Sequence, residues 1–129
     1  MGAAMDTRTD SQARLRILAV DDDALISMAT VGMLEELGHE VIEAYSGQQA
    51  LEILQNQADI DILITDFSMP GMNGVELAQA ARQLRPRLAV LVATGYADLP
   101  PGSDIDLPRL GKPYFQEQLS AEIARILAG

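Results

Sequence analysis

Hydrophobic positions along the chain fall into two alternating rhythms. The runs "LRILAV" at 15–20, "DILIT" at 61–65 and "LAVLVAT" at 88–94 are short, nearly continuous and rich in branched side chains. That is the pattern of strands buried on both faces. "EVIEAY" at 40–45 reads as another short strand. Between these runs the apolar residues recur at helical spacing. From Ala24 the series is Leu25, Met28, Val31, Leu34 and Leu37, and Gly38 stands where a left-handed residue would end a helix. Ser46 with Gln49 three residues on predicts a capping box for a helix carrying Ala50, Leu51, Ile53 and Leu54. Val75, Leu77, Ala78 and Ala81 predict a helix from Gly74 to about Leu84, ended before Pro86. A minimal strand at Arg109-Leu110-Gly111 precedes a terminal helix marked by Leu119, Ile123, Ile126 and Leu127.

Strand and helix therefore alternate strictly through 94. Only crossover helices can cover both sides of such strands, so the expected architecture is α/β, a five-stranded parallel sheet with helices on both faces. After Thr94 the rhythm falters. "GYADLPPGSDIDLP" carries three prolines, two glycines and three aspartates, and an irregular connection is expected there instead of a helix. The start, "MGAAMDTRTDSQAR", has no period and reads as a disordered leader over 1–14, leaving 15–129 as one domain.

Composition narrows the function classes. Nine Lys plus Arg against nineteen Asp plus Glu give a net charge of -10, which disfavours nucleic acid and anionic lipid as partners and suits cations. Without cysteine, neither disulfides nor thiolate ligands support the fold, which fits a reducing compartment. No apolar run nears the roughly 18 residues of a membrane span, and a cytoplasmic location is expected.

Parallel sheets build their sites outside the carboxyl ends of their strands. Asp21, Asp22 and Asp23 follow the first strand, Asp66 the third, Thr94 ends the fourth and Lys112 follows the fifth. Crowded carboxylates repel, and a divalent cation or a neighbouring lysine relieves them. Oxygen ligands of this kind suit Mg²⁺ or Mn²⁺ and phosphoryl chemistry. In this reading Asp66 attacks phosphorus, Asp22 and Asp66 hold the metal, and Asp21 acts on it through a water. The backbone carbonyl of Ser68 completes the sphere, Lys112 neutralises phosphoryl oxygens, and the Thr94 hydroxyl donates to them. Gly71 and Gly74 would let the loop turn tightly. Singly, each residue is as well explained as a turn or surface group; their joint placement favours chemistry.

"ILAVDDDALI", "ILITDFSMPGMNG", "VLVATG" and "GKP" together resemble the signatures of the receiver domain of two-component response regulators, over roughly 15–128. The resemblance implies a flavodoxin-like (CheY-like) fold with sheet order 2-1-3-4-5 and makes Asp66 the phosphoacceptor. It also makes Asp21 and Asp22 the acidic pair, Thr94 the switch hydroxyl, and Lys112 the lysine that precedes Pro113 in a cis peptide. A phosphohistidine on a sensor histidine kinase or histidine phosphotransfer domain is the implied donor, a downstream protein or output domain the implied receiver of the signal, and slow autodephosphorylation the implied end. "ATGYADLP" is similar to a subgroup in which the family's fourth helix is shortened or replaced.

Two departures stand out. Arg109 occupies the place of the usual aromatic switch residue, and Val92 stands where the subgroup has its aromatic. Tyr96 and Arg109 are accordingly the candidates for output coupling through a reordered segment 95–108, with the final helix and the loop before it as the expected output surface. Asp23 is a candidate for tuning the acidic pocket, Met69 and Met72 for shaping the loop, and His39, Asp98, Asp104 and Asp106 for structural or solvated roles. The alternative is a receiver-like module that binds proteins without phosphorylation. A dehalogenase-type phosphatase is disfavoured because Ser68 stands where a second Asp would be needed.

Overall fold

The computed structural model describes residues 14–57, 59–95 and 107–128. The leader up to 13, Tyr96, the aspartates Asp98, Asp104 and Asp106, and most of the irregular connection lie outside the described residues. Within them the elements are β1 (Arg16–Val20), α1 (Ala24–Glu36), β2 (Glu40–Ala44), α2 (Gly47–Asn56), β3 (Ile62–Asp66), α3 (Gly74–Leu84), β4 (Ala89–Thr94), β5 (Arg109–Gly111) and α4 (Gln116–Ala128).

The five strands pair in parallel in the order β2-β1-β3-β4-β5. This is the flavodoxin-like arrangement. β3 lies at the centre with all five residues buried, as its unbroken apolar run requires. Alternate strand residues feed two cores. Leu18, Val20, Leu63, Val90 and Val92 meet Leu54, Leu77 and Ala81 of α2 and α3 on one face. On the other, Ile17, Ile62, Ile64 and Leu91 meet Leu34 of α1 and Leu119 and Ile123 of α4.

Local signals locate the helix ends. At the end of α1, Gly38 adopts φ 97°, its N–H reaches the Glu35 carbonyl at 2.9 Å and the His39 N–H reaches Leu34 at 3.1 Å. This doubly bonded turn satisfies two carbonyls that the helix leaves open. Before α3, Asn73 and Glu76 exchange side-chain and backbone hydrogen bonds at 2.8 and 2.9 Å, a complete capping box.

Two expectations need correction. The series Leu25, Met28, Val31, Leu34 and Leu37 does not form a single inward face: Leu25 is 76% and Met28 67% exposed, Val31 and Leu37 are half-buried, and only Leu34 is buried, with Ser27 and Thr30. α1 is apolar nearly all round, so periodicity cannot choose its inward face. The Ser46 and Gln49 pair is not a reciprocal box either. Ser46 Oγ accepts from the Gln49 N–H at 3.1 Å, but Gln49 Oε1 accepts from Tyr45, one residue early, at 2.8 Å. Ser46 has φ -156° against -80° at Asn73, and that more extended backbone turns its own N–H away from Gln49.

Candidate functional site

Parallel register puts the carboxyl ends of β1, β3, β4 and β5 at one end of the sheet. Asp21 follows Val20 of β1, which pairs with Thr65 of β3, and Asp66 of β3 pairs with Ala93 of β4. One residue further, Thr94 pairs with Gly111, and its carbonyl accepts the Lys112 N–H at 2.8 Å. Four strands thus end together at one edge of the sheet, where Asp21, Asp66 and Lys112 meet and Thr94 ends its strand beside Gly111.

Carboxylate oxygens of Asp21, Asp22 and Asp66 all lie within 4.8 Å of one another, with Asp21 and Asp66 buried and Asp22 exposed. Lys112 Nζ donates to Asp66 Oδ1 at 2.6 Å and stands 3.6 Å from Asp21 Oδ2. Three negative charges around one ammonium leave an excess that one cation would balance. The donor set is all oxygen and opens to solvent at Asp22, so the cluster can coordinate a hard divalent ion.

Burial pushes the Asp21 carboxyl above the ordinary carboxylate range. The Asp23 N–H, which donates to Asp21 Oδ1 at 2.9 Å, and the Lys112 charge oppose that shift, while Asp66 and Asp22 add to it. For Lys112, burial alone would lower the value, but the hydrogen bond to Asp66 and the charges of Asp21 and Asp66 raise it overall. The ammonium therefore stays charged, held between two acids.

The remaining candidates sit around this centre. Asp23 caps α1, its Oδ1 accepting from Leu25 and Ile26 N–H at 2.9 and 3.2 Å, so it meets the site through its backbone rather than its carboxylate. Ser68 lies exposed in the loop after β3. Gly71 turns that loop at φ 83°, and Gly74 abuts the Asp66 backbone so closely that an added Cβ would stand 2.5 Å from its carbonyl oxygen. Met69 is buried in the core. Arg109 is exposed at the start of β5, away from the carboxylates. The Lys112–Pro113 peptide is cis. His39 accepts the Leu15 N–H at 3.2 Å, a structural contact.

Sequence reasoning missed Tyr114. Its hydroxyl meets Thr30 Oγ1 at 2.6 Å and ties the stretch after Lys112 to α1, with burial pushing the phenol above its ordinary value. Ser27, Thr30 and Tyr114 line a small enclosed space with Asp21 and Asp66, and the Ser27 hydroxyl has no hydrogen-bond partner there. Tyr114 follows Lys112 by two residues, but nothing local signals its partner 84 positions away.

Comparisons agree with this geometry. A family model described as the response regulator receiver domain matches residues 17–105. The chain is 36% identical over 116 residues to the response regulator receiver protein CpdR of Brucella abortus, covering 87% of this chain and 96% of that one. To the sensor kinase CckA of the same organism it is 31% identical, over 95% of this chain but only 14% of the kinase. A response regulator receiver domain protein of Clostridium thermocellum superposes with a TM-score of 0.78 at 28% identity, over 88% of this chain and 94% of its own.

Proposed function

We propose that this chain, which belongs to the response regulator receiver domain family, accepts a phosphoryl group on Asp66 from a phosphohistidine and passes the signal on by a change of conformation. The observation that carries the reading is the Lys112–Asp66 contact within a cluster of three carboxylates at the ends of parallel strands. An Asp66 carboxylate oxygen attacks phosphorus, the bond from phosphorus to the imidazole nitrogen breaks, and an acyl phosphate remains on Asp66. Lys112, freed from pairing with that oxygen, neutralises the phosphoryl oxygens, and the Thr94 hydroxyl donates to them. Asp22, Asp66 and the Ser68 carbonyl would hold Mg²⁺ or Mn²⁺, with Asp21 acting through a water. The bound ion would supply positive charge to the phosphoryl oxygens. Slow hydrolysis of the acyl phosphate resets the domain, which is a phosphoacceptor in the cytoplasm rather than an enzyme turning over an external substrate.

The donor is a sensor histidine kinase or a histidine phosphotransfer domain. Leu25 and Ile26 of α1 line an apolar groove with Lys112, Pro113 and Tyr114, while Met28 on the same helix and Phe115, next after Tyr114, are 67% and 68% exposed. An apolar helix face of the donor would cover that surface and present its histidine to Asp66. Phosphorylation draws in Thr94 and reorders the segment 95–108, with Tyr96 and Arg109 carrying the change to a downstream protein. Asp23 tunes the site through its N–H on Asp21. The domain spans 15–129.

Intact mass after incubation with Mg²⁺ and acetyl phosphate tests the reading. The native chain should gain about 80 Da for one phosphoryl group. Asp66→Asn should gain nothing, and neither should the native chain in EDTA. Absence of the gain in a folded native chain, across several donors, would leave a module that binds proteins without phosphorylation.

A further inference from the structure

The opposite end of the sheet carries a second concentration of charge, of the other sign. Arg82, Arg87, Arg109 and Arg125 line one open groove of about 890 Å³, with Leu107 and Ile126 among its apolar walls. Among the described residues, no Asp or Glu lines it. The chain has only nine Lys and Arg in total and a net charge of -10, so four of its nine bases converge where the overall field would not concentrate them. β4 has six residues and separates the Ala89 end of the groove from Thr94 by about 16 Å, while Arg109, paired with Val92, forms the side nearer the site, about 7 Å along the strands from Thr94. The groove shares no lining residue with the carboxylate site.

Structural roles account for two of the four. Arg82 and Arg125 lie in the last turns of α3 and α4, where a cation suits the helix dipole. Arg82 Nε donates to the Leu88 carbonyl at 3.2 Å, and Arg125 pairs with Glu122 at 2.6 Å. Arg87 and Arg109 lie on no helix, one in the turn before β4 and the other at the first residue of β5. Neither has a hydrogen-bonding or ion-pair partner of its side chain among the described residues. Like charges gathered without partners raise the energy of the unbound molecule, and an anion relieves it.

We propose that this groove binds an acidic segment of a partner protein. Guanidinium groups present paired donors that match carboxylates two at a time. Apolar walls between them fit side chains interspersed among those carboxylates. The groove is open rather than enclosed, whereas small-molecule sites bury most of their ligand. A strongly acidic molecule with one local basic groove also repels a long nucleic acid phosphate backbone everywhere else. Arg109 is shared with the output coupling proposed above, but binding to the groove requires no phosphoryl group on Asp66.

Fluorescence anisotropy with a labelled peptide of glutamates interspersed with leucines tests it, at low salt, on the full chain. Binding by the native protein is expected, weakened about tenfold or more in Arg87→Ala/Arg109→Ala and unchanged in Arg14→Ala, whose exposed charge lies elsewhere. On the native protein the peptide should shift the side-chain NMR signals of the four groove arginines, a readout independent of any variant's folding. Lack of binding by the native chain, equal weakening by Arg14→Ala, or shifts confined to α1 and the Asp66 loop would overturn the proposal. So would displacement of the peptide by inorganic pyrophosphate or single-stranded DNA at concentrations below that of competing unlabelled peptide.

Discussion

Replacing Gly74 by alanine sets two effects of opposite sign against each other. Gly74 is the first residue of α3, and its N–H donates to the Phe67 carbonyl at 2.7 Å. An alanine Cβ would stand 2.5 Å from the Asp66 carbonyl oxygen, 3.0 Å from Phe67 Cα and 3.2 Å from the Asp66 carbonyl carbon. All three are backbone atoms, so no side-chain rotation relieves the clash. Overpacking of this kind costs about 1–3 kcal/mol. Against it, the alanine restricts the unfolded chain and contributes about 0.4–1 kcal/mol. The balance is a net loss of roughly 1–2 kcal/mol. Gly32 provides the control, because it lies inside α1 with nothing within 4 Å of an added Cβ. Gly32→Ala should gain about 0.5–1 kcal/mol. Urea denaturation followed by circular dichroism reads both as shifts of the midpoint at constant slope. The backbone that must move in Gly74→Ala belongs to Asp66 itself, so that variant should also be phosphorylated more slowly by acetyl phosphate. A Gly74→Ala protein as stable as Gly32→Ala would refute the steric argument.

Three further outcomes are expected. Tyr114→Phe removes the hydroxyl that meets Thr30 and should cost about 1 kcal/mol; a double-mutant cycle with Thr30→Val would show no coupling if the contact were incidental. Burial lowers His39 below its ordinary 6.5, so the unfolded chain binds a proton first as pH falls. The stability that neutral His39 contributes is therefore present above pH 6.5 and lost as pH drops through the lowered folded value, a slope that His39→Gln should flatten and that identical native and variant slopes would deny. Mg²⁺ at 100 times its dissociation constant should stabilise the native chain by about 2.7 kcal/mol in urea melts. Asp22→Asn should lose most of that gain, and full retention would remove Asp22 from the metal site.

How much was legible depended on how local each signal was. Continuous apolar runs at β1, β3 and β4 could belong only to strands covered on both sides, because a branched apolar segment with no polar alternation has no face to offer water. Gly38 and Pro86 punctuated their helices for reasons confined to a few residues. Parallel pairing followed from alternation, since parallel strands need crossovers, whereas the strand order 2-1-3-4-5 came with the family resemblance. From parallel strands came the expectation that Asp21, Asp66, Thr94 and Lys112 gather at one end of the sheet, and the structure brings Asp21, Asp66 and Lys112 together there. The inward face of α1 was illegible for a physical reason: Leu25, Ile26, Met28 and Val31 surround the helix with similar hydrophobicity, and only the packing of Thr30 against Tyr114 and of Leu34 into the core selects one side.

Residue order alone settled the strand sequence, the helix termini and the end of the sheet at which the acids gather, because backbone sterics, hydrophobic period and the parallel crossover act over short stretches. Tertiary structure decided which groups touch. Lys112 and Asp66 stand 46 positions apart and meet at 2.6 Å, and Tyr114 reaches Thr30 across 84. The four arginines come from three separate parts of the chain and share a groove only because β4 and β5 begin where α3 and α4 end. Such contacts depend on register and on side-chain direction, which no local pattern encodes, and they are set when the two cores pack against the sheet.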